Sequence, residues 1–107
     1  MILKINQEGD KHEINVQCNR LTLVYSEELK EQVKPLLSNE NASVTINLGG
    51  VKFIDSSGVG SLIALAKQAK VSGSKLYITN IEEGVKELFT LLRLDTIFNI
   101  YNTAIWK

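Results

Sequence analysis

Apolar and polar residues alternate along two stretches of the chain, with the period of two that is typical of half-buried β-strands. The stretches are 12–18 and 43–48, and each is long enough to form one strand. Their inward positions are Ile14, Val16, Cys18, Val44, Ile46 and Leu48. Because polar residues occupy the positions between, we expect both strands to bury only one face.

Elsewhere apolar residues recur every three to four positions, which predicts helices. The first helix has Ser26 as its predicted N-cap and ends early, or kinks, at Pro35, which lacks a backbone N–H. The second runs over about 58–71 and ends at Gly73, which can adopt a left-handed backbone. The third covers 82–92 and has acidic residues first. The apolar stripe predicted for the second helix is Val59, Leu62, Ile63, Ala66 and Ala69.

Shorter apolar runs predict further strands at 2–6, 75–79 and 97–101, and a short strand or extended link at 21–24. Turn residues at 8–10 make the first two strands a hairpin. Helices between strands favour parallel pairing with right-handed crossovers. We therefore predict a single α/β domain over residues 1–107, with a mixed four- to five-stranded sheet and helices mainly on one face. The predicted core is Ile14, Val16, Val44, Ile46, Leu48, Leu62, Ile63, Ala66, Leu76, Ile78 and Leu88.

Charge and cysteine content narrow the class of protein. The chain has 12 basic and 12 acidic residues, and a net charge of zero argues against a nucleic-acid binder or a polybasic membrane surface. No apolar run approaches the ~20 residues that cross a bilayer, so we expect no direct membrane insertion. A single cysteine, Cys18, excludes an internal disulfide and suits a reducing compartment. With no signal-peptide pattern at the start, we expect a cytoplasmic protein whose Cys18 is a small core residue.

The residues suited to catalysis are sparse. His12 is the single histidine and lies far along the chain from the serines, so a Ser–His–acid triad is not expected. One histidine and one cysteine do not make a metal cluster. The run 58–60, Gly-Val-Gly, matches neither common phosphate-loop pattern. We expect no enzymatic activity, no cofactor and no metal site.

One segment concentrates hydroxyls and an acid at the start of the second helix. It reads VKFIDSSGVGSL, and Asp55, Ser56 and Ser57 precede Gly58 and Gly60. A helix needs one capping side chain, yet three candidates occur here. Glycine in a first helical turn costs about 1 kcal/mol relative to alanine and exposes the backbone. The segment therefore fits either a helix cap or a site that another protein recognises or modifies.

The run from Leu48 to Leu62 strongly resembles the STAS domain family, and in particular the bacterial anti-sigma factor antagonists. The specific part is Asp55-Ser56-Ser57-Gly58 at the start of a helix. The runs 84–92 and 94–98 are also similar to the last helix and strand of the family. Where the family often carries an acid before the first helix, this sequence has Thr22. We expect Ile105 and Trp106 to pack onto the sheet in place of the family's C-terminal helix.

The resemblance implies a mechanism of partner switching. An anti-sigma factor with serine kinase activity phosphorylates Ser57, the unphosphorylated protein binds that factor and releases sigma, and a phosphatase resets the cycle. The alternative is a STAS module that serves as a scaffold in a signalling assembly or beside a membrane transporter, with Ser57 only a cap. The predicted partner-binding residues are Asp55, Ser56, Ser57, Gly58, Val59, Gly60, Ser61, Ala64, Lys67 and Gln68.

Overall fold

The computed structural model describes residues 3–94 and the backbone of residues 99–101. Within this part, a main sheet of five strands and a small sheet of two strands pack with three α-helices. In spatial order, the main sheet contains β1 (Leu3–Glu8), β2 (Lys11–Val16), β4 (Ser43–Asn47), β6 (Lys75–Thr79) and β7 (Asn99–Tyr101). The small sheet pairs β3 (Arg20–Leu21) with β5 (Phe53–Ile54). The helices are α1 (Leu23–Val33), α2 (Ser56–Ser72) and α3 (Glu83–Leu91).

The strand directions confirm the predicted mixed sheet. Strands β1 and β2 form an antiparallel hairpin, and the pairs β2–β4, β4–β6 and β6–β7 are parallel. The register aligns Ile14, Ile46 and Ile78 in one row across three strands, and all three side chains are fully buried. Helices connect the parallel strands and cover this apolar face, as expected for strand–helix–strand units.

The opposite face of the sheet is polar. Ser43, Thr45 and Asn47 of β4 alternate with the buried residues and are half-buried. This alternation is what was predicted from residues 43–48, and it confirms that the helices cover mainly one face.

The predicted core is confirmed for most of its members. Ile63, Ala66 and Leu88 are partly buried and pack against the core, whereas the other predicted residues are buried within it. The stripe predicted for α2 was partly wrong, because the most buried large side chains of the helix are Leu62 and Leu65. Apolar residues occur on several sides of α2, so their spacing alone did not fix which side faces inward.

Helix α1 begins earlier than predicted. It starts at Leu23, and the backbone N–H of Ser26 donates to the carbonyl of Thr22 at 2.8 Å, a bond inside the helix. The predicted N-cap at Ser26 was therefore wrong. Ser26 is fully buried because it lies on the same side of the helix as Leu29 and Val33. The cap position is Thr22, whose side chain makes no capping hydrogen bond.

Two predicted helix ends are confirmed. Helix α1 ends at Val33 and a 3₁₀ turn, Lys34–Ser38, follows with Pro35 near its start. Helix α2 ends at Gly73, whose φ of 75° is left-handed. The predictions for residues 97–98, Ile105 and Trp106 lie outside the described residues.

Candidate functional site

Two short parallel strands position the start of α2. Leu21 of β3 lies opposite Ile54 of β5, and one step further the backbone N–H of Asp55 donates to the Leu21 carbonyl at 3.4 Å. Helix α1 begins at Leu23 and helix α2 at Ser56, each two residues beyond its strand. The two helices therefore start side by side beyond the carboxyl ends of β3 and β5.

Asp55 alone caps α2. Its backbone is extended, with φ −93° and ψ −175°, and its Oδ1 accepts a hydrogen bond from the N–H of Gly58 at 3.0 Å. This is the usual bond from an N-cap side chain to the third helical residue. Because the carboxylate of Asp55 fills this role, the hydroxyls of Ser56 and Ser57 are not needed as caps.

The two hydroxyls occupy the first two helical positions. Ser56 is exposed and Ser57 is half-buried. Among the described residues, neither hydroxyl has a hydrogen-bond partner. The backbone N–H groups of these positions have no acceptor within the helix, so the start of α2 carries a partial positive charge. Ser57 is thus an accessible hydroxyl at the positive end of the helix dipole, with the carboxylate of Asp55 two residues before it.

Gly58 packs against the small sheet. A Cβ built on Gly58 would lie 2.6 Å from Cγ2 of Ile54 and 2.7 Å from the carbonyl oxygen of Leu21. Only glycine lets the first turn of α2 approach β3 and β5 this closely without a shift of the backbone. Ser61, one turn further, is also buried. Both were predicted to contact a partner. Because they face the interior, we do not include them in the proposed partner surface.

The remaining predicted contacts within α2 differ in exposure, and we call the side that carries the exposed Gly60 and Lys67 the outer side of α2. Gly60 and Lys67 are exposed, and Val59, Ala64 and Gln68 are half-buried. A Cβ on Gly60 would meet no atom within 4 Å, so this side of the first turn is open. Val59 packs against the core, whereas Gly60 and Lys67 are exposed in the same helix as the two hydroxyls.

An acidic side chain that sequence reasoning missed holds the loop before β5. The Glu82 carboxylate accepts hydrogen bonds from the Gly50 backbone N–H at 2.9 Å and from Lys52 Nζ at 3.1 Å. The hydrogen bond from Gly50, followed by that from Lys52 and its charge, holds the pKa of Glu82 below its ordinary value. More than 25 residues separate the partners, so no local pattern could have identified the contact.

Asparagines at the ends of three parallel strands form a second network. Asn47 Nδ2 donates to Asn15 Oδ1 at 3.0 Å, and Asn80 Nδ2 donates to Asn47 Oδ1 at 3.2 Å. The same Asn47 oxygen accepts the backbone N–H of Gly49 at 2.8 Å. Together with Glu82, these amides fix the loop that leads from β4 to the capped start of α2.

In the small sheet, the Arg20 guanidinium carbon lies 4.3 Å from the centroid of the Phe53 ring. The register pairs these two residues across β3 and β5. The side chain of Phe53 is exposed. The contact has the geometry of a cation–π interaction.

Neither metal binding nor membrane crossing has support in the described part of the chain. There, no three His, Cys, Asp or Glu side chains are close enough to hold a metal ion. None of the helices described is both long and apolar enough to cross a bilayer. Cys18 is half-buried against the core, and burial raises the pKa of its thiol.

Comparison with known proteins gives consistent results. The STAS domain profile matches residues 19–104. The anti-sigma-B factor antagonist of Bacillus subtilis (strain 168) is 28% identical over 101 residues, which cover 92% of each chain.

Solved structures show the same fold. An anti-sigma-factor antagonist (STAS) domain protein from Planctomyces limnophilus superposes with a TM-score of 0.82 at 19% identity, over 95% of this chain and 90% of that one. The Bacillus cell fate determinant SpoIIAA in its phosphorylated form superposes with a TM-score of 0.72 at 14% identity, over 92% and 89%.

Proposed function

The chain belongs to the STAS domain family, and on this premise we propose that it is an anti-sigma factor antagonist switched by phosphorylation of Ser57. In this proposal the unphosphorylated protein binds an anti-sigma factor with serine kinase activity in the cytoplasm and so releases sigma. The kinase transfers the γ-phosphoryl group of ATP to Ser57 Oγ, which loses its proton, and ADP leaves. A phosphatase hydrolyses the phosphoserine and restores binding.

The observation that carries the proposal is the division of roles at the start of α2. Asp55 supplies the cap, and the Ser57 hydroxyl is accessible and has no hydrogen-bond partner among the described residues. A residue that the fold does not use can be modified without loss of the fold. The name of the Bacillus subtilis relative supports the choice of partner, since an antagonist of an anti-sigma factor has to bind one.

The fold should tolerate the phosphate. A phosphoserine adds about −1.5 to −2 charges at pH 7. The dipole of α2 favours such a group at its start by typically about 0.3–1 kcal/mol. The carboxylate of Asp55, two residues earlier, opposes it by a similar amount. Because the two effects nearly cancel, we expect little change in the free energy of unfolding.

The interface should not tolerate it. On the outer side of α2, a partner surface shaped for a small hydroxyl would have to desolvate the new charge. An unpaired buried charge costs several kcal/mol, and about 1.4 kcal/mol is tenfold in affinity. We therefore expect phosphorylation to weaken binding by about a hundredfold or more. The proposed contacts are Asp55, Ser56, Ser57, Val59, Gly60, Ala64, Lys67 and Gln68.

The first experiment tests the modification. The protein is incubated with ATP and each purified anti-sigma factor kinase of its source organism, with the anti-sigma-B factor of Bacillus subtilis as an additional probe. Mass spectrometry should find one phosphate, on Ser57. Ser57→Ala should abolish it, and the matched control Ser56→Ala should retain it. Phosphate on Ser56, or on neither serine with any kinase, would contradict the proposed switch.

The second experiment tests the switch by calorimetric titration of the same anti-sigma factors. Ser57→Ala should bind like the unmodified protein, and Ser57→Asp should bind about a hundredfold more weakly. Thermal melts of both variants should match the parent. Lys67→Glu and Gln68→Glu test the rest of the surface and should also weaken binding. Equal affinity of the two Ser57 variants would favour the alternative, an interaction module without a phosphoswitch.

A further inference from the structure

A group of apolar side chains is exposed beside the start of α2. Leu23 and Val24, in the first turn of α1, are 59% and 73% exposed, and Phe53 of β5 is 42% exposed. Tyr25 follows them in the helix and is also exposed. We call these four residues the apolar rim.

The topology brings the first turn of α1, which carries Leu23, Val24 and Tyr25 of the apolar rim, beside the start of α2. Phe53 pairs with Arg20, and Leu23 lies only three residues beyond Arg20, at most about 10 Å along an extended chain. The hydrogen bond from Asp55 to the Leu21 carbonyl joins the two strand ends from which α1 and α2 begin. Leu23 and Val24 of the rim therefore lie in the helical turn that begins beside the turn of Ser56 and Ser57.

Folding does not account for the rim. Helix α1 is held by its inner side, on which Ser26, Leu29 and Val33 are buried. Its first turn contains no acidic residue, although the helix dipole would favour one there. Leucine and valine left in water contribute nothing to the core. Clusters of exposed apolar side chains mark surfaces that bind other proteins.

One positive charge lies at the edge of the rim. The Arg20 guanidinium is stacked over the Phe53 ring, and Arg20 as a whole is exposed. The ion pairs found within the described part of the chain are Lys30–Glu27 and Lys52–Glu82, so no carboxylate there pairs with Arg20. A partner that covers Phe53 can place its own carboxylate against Arg20.

We infer that the anti-sigma factor covers the apolar rim at the same time as the outer side of α2, with apolar side chains on Leu23, Val24 and Phe53 and an acidic side chain on Arg20. The inference rests on the proposed function and adds a second half to the interface. On this inference, a phosphate on Ser57 would add charge to an interface whose other half is apolar and has to lose its water.

The test compares the same substitution at two exposed leucines. Leu23→Ser removes an apolar side chain from the rim. Leu91→Ser removes one at the last residue of α3, where the side chain is 79% exposed. In titrations of the anti-sigma factor that binds the unmodified protein, Leu23→Ser and Val24→Ser should each weaken binding about tenfold or more. Leu91→Ser should stay within about twofold. All three should melt like the parent, since exposed positions contribute little to stability.

Charge reversal tests the acidic contact. Arg20→Glu should weaken binding about tenfold, with the larger loss at low salt because the interaction is electrostatic. Lys86→Glu, an exposed charge reversal on α3, is the matched control and should change affinity little. Equal loss in both variants would indicate a general charge effect and would contradict a specific contact at Arg20.

The outcomes separate this inference from the proposed function. If no anti-sigma factor binds the unmodified protein, both are wrong. If binding occurs and Ser57→Asp abolishes it, but Leu23→Ser and Val24→Ser bind like Leu91→Ser, the switch stands and the apolar rim is not part of the interface. If the rim variants lose binding while Ser57→Asp does not, the rim is confirmed and the phosphoswitch is wrong.

Discussion

The inner and outer sides of the first two turns of α2 are built from the same kinds of residue, glycine and serine, but differ in burial and packing. Gly58 and Ser61 face inward and are buried, and Gly58 touches the backbone of β3. Ser57 directly precedes Gly58 and Gly60 directly precedes Ser61, yet Ser57 is half-buried rather than buried and a Cβ on Gly60 would meet no atom within 4 Å. A rotation of about 100° per residue is enough to separate these environments.

The difference shows how a small domain can hold one side of a helix by close contacts and leave the other side without them. The inner side fixes α2 against the small sheet through close contacts that tolerate no extra atom. Gly60 on the outer side makes no such contact, so we expect a substitution there to cost little.

The largest effect is expected in the core beneath the helices. Ile46 lies in the buried row of the main sheet, and Ile46→Ala should lower the free energy of unfolding by about 2–5 kcal/mol because it leaves a cavity. The matched control, Thr45→Ala, changes the neighbouring residue on the polar face and should cost far less. Urea titration measures both. A midpoint for Ile46→Ala equal to that of the parent would contradict the assigned core.

The next effect tests the inner side of α2 directly. Gly58→Ala would place a methyl group against Leu21 and Ile54, and should cost about 1–3 kcal/mol through overpacking. This loss would occur although alanine is the better helix former. A variant at least as stable as the parent in urea titration would show that the close approach is not required.

The outer side should respond in the opposite direction. Gly60→Ala adds a methyl group in open space within the helix and should stabilise the protein by up to about 1 kcal/mol. If Gly60 contacts the anti-sigma factor as proposed, the same variant should bind less tightly. A higher melting temperature together with a lower affinity in calorimetry would support the contrast between the two sides of α2. A lower melting temperature would contradict it.

The smallest effect on stability is expected at Glu82, whose carboxylate holds the loop before β5. The pKa of Glu82 is lowered in the folded protein, so the ionised carboxylate favours folding above its ordinary pKa of 4.5. This contribution is lost as the pH falls through the lowered value. Glu82→Gln should therefore melt slightly below the parent at pH 7, and the two curves should converge in acid. A difference that does not change with pH would contradict the role of the charge.

Much of the fold followed from local sequence patterns. Alternation in residues 43–48 predicted a strand with one buried face, and Pro35 and Gly73 predicted two helix ends, because each depends on the backbone preferences of a few neighbouring residues. The segment around Ser57 was identified from a short run of residues, Asp55-Ser56-Ser57-Gly58. Its resemblance to the STAS family was confirmed by comparison, while the role of Ser57 stays a prediction.

Tertiary structure decided the role of each residue at the start of α2. Sequence offered three candidate caps and two glycines, and only the pairing of β3 with β5 assigned the cap to Asp55 and the close contact to Gly58. Likewise, the contact between Glu82 and Gly50 joins residues 32 positions apart. Helical periodicity is a local property, whereas the side that a helix buries depends on the register of strands that are distant in sequence.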